Sequence, residues 1–294
     1  SISITLDALW SDTEVEFASG FPEDDFVLDG NRRPADLGKV SACLDLLRAL
    51  KGTKDRAVVR STNNFPTGAG LASSASGFAA LATAAAAALE LDLSLRELSI
   101  IARQGSGSAA RSIFGGFVEM HAGSADDGSD SFAEPLLDAA RWPLEVVIAI
   151  TAKDEKQVDS RSGMTRSAQA SPYYPAWVAT HPADLDAARD AIRRRDFAAL
   201  AEVAEHNCLK MHAAAVAARP PLIYWNGATL QCISLIQKLR REGLPVFFTI
   251  DAGPQVKAIC EPRVRGQVEQ ALRALPGVLE VLTSSLGAGA EQLA

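Results

Sequence analysis

The chain has 294 residues, enough for two packed domains or one large one, and 48% hydrophobic residues supply a sizeable core. Charged residues are 22% and the net charge is −7, with no basic stripe, which argues against a nucleic-acid partner. No apolar run reaches the roughly 18 residues of a membrane span; the alanine-rich run Ala79 to Leu89 is too short, so no membrane partner is expected.

The chain opens Ser1-Ile2-Ser3-Ile4-Thr5-Leu6, alternating as the middle of a strand does. It begins without Met, and a preceding piece of the natural protein is expected to be missing. Residues 1–35 read as a β region, with Phe26-Val27-Leu28 a strand entering a turn at Asp29-Gly30. From Lys39 to Leu50, Val40, Cys43, Leu44, Leu47 and Leu50 recur at helical spacing. Ala57 to Ser61 is a short strand, Asn63 to Gly70 a turn-rich loop, and Leu71 to Leu89 a strong helix former.

Ser94 with Glu97 three residues on forms a capping box for a helix ending near Gly105, and a short helix follows from Ser106 or Ser108. Phe117 to Met120 and Leu144 to Ile150 read as strands, separated by an acidic, Gly- and Ser-rich exposed loop from Ala122 to Ser131. Residues 183–217 read as two helices broken near Arg195-Asp196, with Asp196 the N-cap of the second. Gly227 to Arg241 is a further helix, Val246 to Ile250 a buried strand, and Val278 to Thr283 the closing strand. The pattern is α+β with two domains and a division within residues 150–185, drawn at 155/156 to give residues 1–155 and 156–294.

Cys43, Cys208, Cys232 and Cys260 are scattered and form no C-x-x-C pair, which speaks against zinc or disulfides and for a reducing, cytoplasmic setting. They read as small buried hydrophobes. His121, His181, His206 and His212 show no metal-ligand spacing and read as ordinary surface or core residues. No protein metal site is expected.

Four loops can carry chemistry. In Phe65 to Gly77, small residues run into a helix whose N-terminus offers partial positive charge and unpaired donors, a cradle for phosphate. No Gly-Lys-Ser/Thr follows, so it is not a Walker A loop, and the same composition would serve a tight turn with close helix packing. In Arg103 to Arg111, Ser106 and Ser108 can cap a helix or bind an oxyanion. Arg111, three residues past Ser108, can clamp a carboxylate or phosphate; a capped helix with a solvated arginine is the simpler reading. Asp251 ends a buried apolar strand, where burial raises a carboxyl pKa unless cations sit close; a turn-forming aspartate is the plainer alternative. Lys156 to Met164 mixes hydroxyls and cations in what reads as a loop, solvated or ligand-binding. Any phosphate ligand must be held by local Lys and Arg against the overall negative field.

Together these loops resemble the diphosphomevalonate decarboxylases of the GHMP-kinase superfamily, over almost the whole chain. The resemblance is carried by Asn64-Phe65-Pro66-Thr67 before the glycine loop, by Gly105-Ser106-Gly107-Ser108 with Arg111, by Ser160 to Met164 and by Thr249 to Pro254. It implies an N-terminal α+β domain with the nucleotide loop and a C-terminal ferredoxin-like domain, the substrate lying in a cleft between them. It further implies ATP with Mg²⁺, mevalonate 5-diphosphate as substrate and isopentenyl diphosphate as product, and a homodimer.

The residue roles follow from the same resemblance. Asp251 is the base at the 3-hydroxyl, Arg111 holds the substrate carboxylate, and Ser74 sits near the reacting phosphoryl group. Ser106, Gly107, Ser108, Ser160 and Arg161 bind the substrate diphosphate, and Lys39, placed before the first helix, is a basic substrate contact. Gly68, Ala69, Gly70, Leu71, Ala72, Ser73 and Ser74 hold nucleotide, with Lys156 on its phosphates. Family members also carry an N-terminal Lys-Tyr-Trp-Gly-Lys-like segment that this chain starts after. The alternatives are a relative that decarboxylates mevalonate 5-phosphate or only phosphorylates the 3-hydroxyl, and a non-catalytic ligand-binding relative.

Overall fold

The computed structural model describes residues 1–65, 70–153 and 158–293. Gly68, Ala69 and Lys156, assigned above to nucleotide, therefore lie outside the described residues. Among the described residues, one compact unit gathers 1–65, 71–139 and 287–293, and a second gathers Gly70, 140–153 and 158–286.

The first unit begins with β1 (Ile2–Ile4), β2 (Ser11–Ala18), β3 (Asp25–Leu28), β4 (Asn31–Arg32), α1 (Pro34–Lys51) and β5 (Arg56–Asn63). In β2, exposed Asp12, Glu14 and Glu16 alternate with Val15 and Phe17, which pack on the core, the period of a strand with one wet face. β2 pairs antiparallel with β5 from Ser11↔Asn63 to Ala18↔Arg56, and β3 runs parallel to β5 on its other side. The helix expected from Lys39 starts five residues earlier, because Pro34 fits the first helical turn, where its missing N–H costs nothing. Lys39 thus lies inside α1, on its exposed side, and not before it. Val40, Cys43, Leu44 and Leu47 are the buried stripe, and Gly52 ends the helix in the left-handed conformation at φ 76°.

The unit continues with α2 (Ser73–Ala88), α3 (Leu95–Gly105), the single turn α4 (Ala109–Ser112), β6 (Phe117–Met120) and β7 (Ala133–Leu137). Ala79, Ala82 and Ala85 of α2 join the α1 stripe, Ala57 and Val59 of β5, and Leu98 and Ile101 of α3 in one core. The capping box at Ser94 forms as the sequence predicts, with Glu97 N–H donating to Ser94 Oγ and Ser94 N–H to the Glu97 carboxylate. β1, β6 and β7 make a separate antiparallel sheet with β6 in the centre.

The second unit contains β8 (Glu145–Ile150), α5 (Ser160–Ala170), α6 (Tyr174–Arg194), α7 (Phe197–Val216), α8 (Gly227–Arg241), β9 (Val246–Thr249), β10 (Val256–Cys260), α9 (Arg265–Arg273) and β11 (Glu280–Ser285). Its antiparallel sheet has the order β11-β8-β10-β9. Numbered within the sheet this is 4-1-3-2, with helices between strands one and two and between three and four. That is the β-α-β-β-α-β ferredoxin-like arrangement the resemblance implies. Val147, Ala149, Phe248, Val256, Ala258 and Cys260 face Cys232, Ile236, Val268 and Leu272 of the covering helices. No described helix is long and apolar enough to cross a membrane.

Candidate active site

In the first unit, α2 starts without a conventional cap. Ala72 stands at the N-cap in the left-handed conformation (φ 59°, ψ 31°), and its methyl side chain supplies no oxygen to the first turn. A non-glycine residue held there costs about 1–2 kcal/mol, strain that persists where the surroundings impose it and that gathers at ligand sites. Leu71, just before it, is buried. Ser74, exposed in the first turn, sits with its Oγ 3.2 Å from Ser106 Oγ, and Ser106 Oγ is 3.4 Å from Ser108 Oγ. Three predicted site serines thus form one hydroxyl cluster, with Gly107 exposed between the last two.

Ser108 does not cap α4 with its side chain, as the sequence allowed; its backbone is already helical (φ −82°, ψ −18°), which turns Oγ away from the N–H groups ahead. Arg111 is half-buried on α4. Its Nε donates to Ser3 Oγ and its Nη1 to Ser1 Oγ, both at 2.9 Å, so the first strand orients the guanidinium. Lys39 makes no contact with this cluster among the hydrogen bonds and ion pairs of the described residues.

The second unit holds the turn after β9. Asp251 does not sit buried as its strand suggests: its side chain is 67% exposed, and Lys257 Nζ lies 3.0 Å from Oδ2. Lys257 projects from β10, is only 8% exposed, and also donates to the carbonyl of Gly70 at 3.2 Å. Gly70 (φ 81°) and Gly253 meet backbone to backbone; a Cβ on Gly253 would stand 3.3 Å from the Gly70 Cα. Side chains at both positions are therefore resisted, by the left-handed φ at one and by close approach at the other.

The Asp251 turn is fixed on both sides. The Ile250 carbonyl faces Cys208 Sγ at 3.6 Å and His212 Nε2 at 3.1 Å. The Pro254 carbonyl accepts from Thr151 Oγ1 at 3.0 Å and Thr229 Oγ1 at 2.8 Å. Gln255, 1% exposed, accepts from Thr151 N–H and donates to the Ala152 carbonyl, each at 2.7 Å. Burial holds the His212 imidazole below its usual pKa, keeping it neutral at pH 7. Trp225 Nε1–H points at the same Nε2 from 3.3 Å, and since one nitrogen cannot donate and accept together, the Ile250 and Trp225 contacts require different tautomers.

Ser160 and Arg161 are not in a loop. They open α5, whose N-cap Asp159 accepts from Arg161 N–H at 2.9 Å and Ser162 N–H at 3.0 Å. The carboxylate satisfies these end donors directly, which is what makes so polar a segment helical. Arg161 lines an open groove of about 460 Å³ together with Arg166 and Arg219, a cationic surface suited to an anion.

Sequence reasoning passed over Lys257, His212 and Gln255. The available signals were a lysine inside the apolar run Val256-Lys257-Ala258-Ile259-Cys260 and the i,i+4 pair Cys208/His212, whose shared helix face meets Ile250.

The α+β architecture with two domains is that of solved mevalonate diphosphate decarboxylases. One from Staphylococcus aureus is 37% identical with a TM-score of 0.92, covering 98% of this chain and 88% of that one. A second, described as MDDEF in complex with MVAPP, AMPPCP and magnesium, is 39% identical with a TM-score of 0.90 over the same shares. The diphosphomevalonate decarboxylase of Candida albicans is 36% identical over 269 residues, 86% of this chain and 74% of its own length. Residues 1–133 match the diphosphomevalonate decarboxylase-like N-terminal domain, and residues 146–284 match the mevalonate 5-diphosphate decarboxylase C-terminal domain. The chain belongs to the diphosphomevalonate decarboxylase family.

Proposed function

We propose that this chain converts mevalonate 5-diphosphate and ATP to isopentenyl diphosphate, ADP, phosphate and CO2, with Asp251 as the base at the 3-hydroxyl. The observation that carries the reading is the Asp251 turn: an exposed carboxylate held by buried hydrogen bonds on either side and paired to a buried lysine. Phosphoryl transfer to a tertiary alcohol needs an aligned acceptor more than a strong base. Asp251 orients the hydroxyl and takes its proton as the new oxygen–phosphorus bond forms. Phosphate then leaves C3, and the electrons released by loss of CO2 close the double bond. Arg111 orients the departing carboxylate.

Ser106, Gly107, Ser108, Ser160 and Arg161 take the substrate diphosphate, with Lys39 a further basic contact. Ser74 stands at the transferring phosphoryl group, and Gly68 to Ser74 with Lys156 hold the nucleotide. The hydroxyl cluster, the oriented guanidinium and the arginine groove support these roles. Magnesium would accompany ATP and supply charge neutralisation on the phosphates. It takes oxygen ligands and needs few from protein. The Ser74 hydroxyl fits that donor type, and among the described residues no group of three or more Asp, Glu, His or Cys side chains is placed to hold a metal ion by itself.

The partition into residues 1–155 and 156–294 belongs to this reading, with the glycine and serine loops in the first part and Ser160, Arg161 and Asp251 in the second. So does a homodimer, which light scattering would test, and a cytoplasmic setting, in keeping with four buried free thiols. The deciding experiment supplies mevalonate 5-diphosphate or its 5-monophosphate with ATP and counts ADP and CO2. Equal release of both from the diphosphate is expected. Preference for the monophosphate, ADP without CO2, or neither product would each replace the reading.

A further inference from the structure

We infer that Lys257 is the positioning residue of the reaction, one ammonium that aims Asp251 and ties the end of the glycine loop to it. This rests on the reading of Asp251 as base and of residues 68–74 as the nucleotide loop.

A lysine side chain 10% exposed is rare unless paired, because its charge loses most of its hydration. Lys257 recovers it from two partners with different duties: Asp251 Oδ2 at 3.0 Å and the Gly70 carbonyl at 3.2 Å. The strand sets this reach. In β10, Val256 and Ala258 turn to the helix-covered core, so Lys257 turns to the other face. Its antiparallel neighbour Thr249 lies two residues before Asp251, which brings the end of β9 within range. The arrangement is lopsided: the ammonium is buried while the carboxylate it holds is two-thirds exposed. The paired carboxylate therefore still presents two-thirds of its surface to solvent.

Among the described residues, the other titratable groups facing the pair come from α7. Burial keeps His212 neutral and pushes the Cys208 thiol up to about 12, so neither competes with the lysine for charge. Gly70 contributes only a carbonyl, and its Cα lies where a Cβ on Gly253 would stand 3.3 Å away, so the two backbones pass close together. The 3-hydroxyl proton passes to Asp251, whose charge is then neutralised beside a cation, so it is returned readily after turnover. The ammonium thus weakens Asp251 as a base while fixing its direction, which suits a step limited by alignment.

The test uses the intact protein with Lys257→Met, Lys257→Arg and Asp251→Asn, assayed for ADP release across pH. Asp251→Asn must be inactive for the parent reading to stand, and its activity would remove that reading before Lys257 is considered. With Asp251→Asn inactive, Lys257→Met is expected to lose roughly 10²-fold in kcat with KM for both substrates little changed. The acidic limb of its pH–rate profile is expected to rise by about one unit or more, because a carboxylate without its cation holds a proton more tightly. Lys257→Arg is expected to restore the limb. An unmoved limb in Lys257→Met, or a large rise in KM for ATP with kcat kept, would overturn the inference; the latter would make Lys257 a nucleotide contact.

Discussion

Replacing Gln255 with leucine tests whether the Asp251 turn is held by its buried hydrogen bonds. Gln255 joins Thr151 N–H and the Ala152 carbonyl, both at 2.7 Å, and is 1% exposed. Leucine fills similar space but leaves two polar backbone groups without that partner. At about 1–3 kcal/mol for each group the loss is about 2–6 kcal/mol, offset by about 1 kcal/mol of added apolar burial. Urea unfolding followed by circular dichroism should show the deficit, and kcat should fall because the turn carrying the base is no longer pinned. Gln255→Glu adds a pH arm. Its carboxylate can still accept from Thr151 but repels the Ala152 carbonyl, whereas the protonated acid can donate to it. The folded pKa of that glutamate is thus raised above the unfolded value of about 4.3. Its stabilising share is full below that value and is lost as pH rises through the folded pKa. A Gln255→Leu protein within about 0.5 kcal/mol of the parent, with a pH-independent Gln255→Glu, would show that Gln255 does not hold the turn.

Asp24 and Arg48, each 4% exposed, form a buried ion pair that Asp45 extends. Removing the charge with Asp24→Asn should cost about 3–5 kcal/mol in chemical unfolding, and a loss under about 1 kcal/mol would contradict the pairing. Burial alone would raise the Asp24 pKa, but hydrogen bonds from Arg48, Ala57 N–H and Ser41 outweigh it and lower it. Its contribution is present above the unfolded value of about 3.9 and disappears as pH falls through the lowered folded one, an acid limb that Asp24→Asn should lack. Burial pushes the thiols of Cys43, Cys208 and Cys260 up to about 12 and that of Cys232 up to about 11. None should react with a thiol reagent at pH 8 until the protein unfolds, and rapid labelling of the native protein would show a packing error. Arg111→Ala should lower kcat by about 10²-fold or more through a misdirected carboxylate, and near-normal turnover would take Arg111 out of the mechanism.

Much of this fold can be read from local chemistry. The Ser94/Glu97 box, the Asp196 cap that accepts from Ala199 N–H, and the bounds of α8 and β6 all follow from residue type and spacing. What escapes has physical causes. The helix expected from residue 183 begins at Tyr174, because Pro182 suggests a break that neighbouring packing overrides, with Pro175 fitting the first turn. β7 hides behind Pro135, a residue tolerated because β7 lies at a sheet edge. β10 is short and buried along its whole length, yet carries a lysine where a strand buried on both faces would have an apolar residue. The candidate site divides in the same way. Serines and arginines in small-residue loops announce themselves, whereas Lys257, His212 and Gln255 gain meaning only when β9, β10 and α7 come together. The distance from a carboxylate to a cation six residues on depends on strand register, which one sequence does not encode locally.

The deciding measurement follows ADP and CO2 together in the parent protein and in Asp251→Asn, at saturating mevalonate 5-diphosphate and ATP. The parent should release equal amounts of both products. The variant should yield neither, while still binding the diphosphate and unfolding at the parent's midpoint. Parent-like turnover in Asp251→Asn, or ADP without CO2 from the parent, would contradict the proposed reaction.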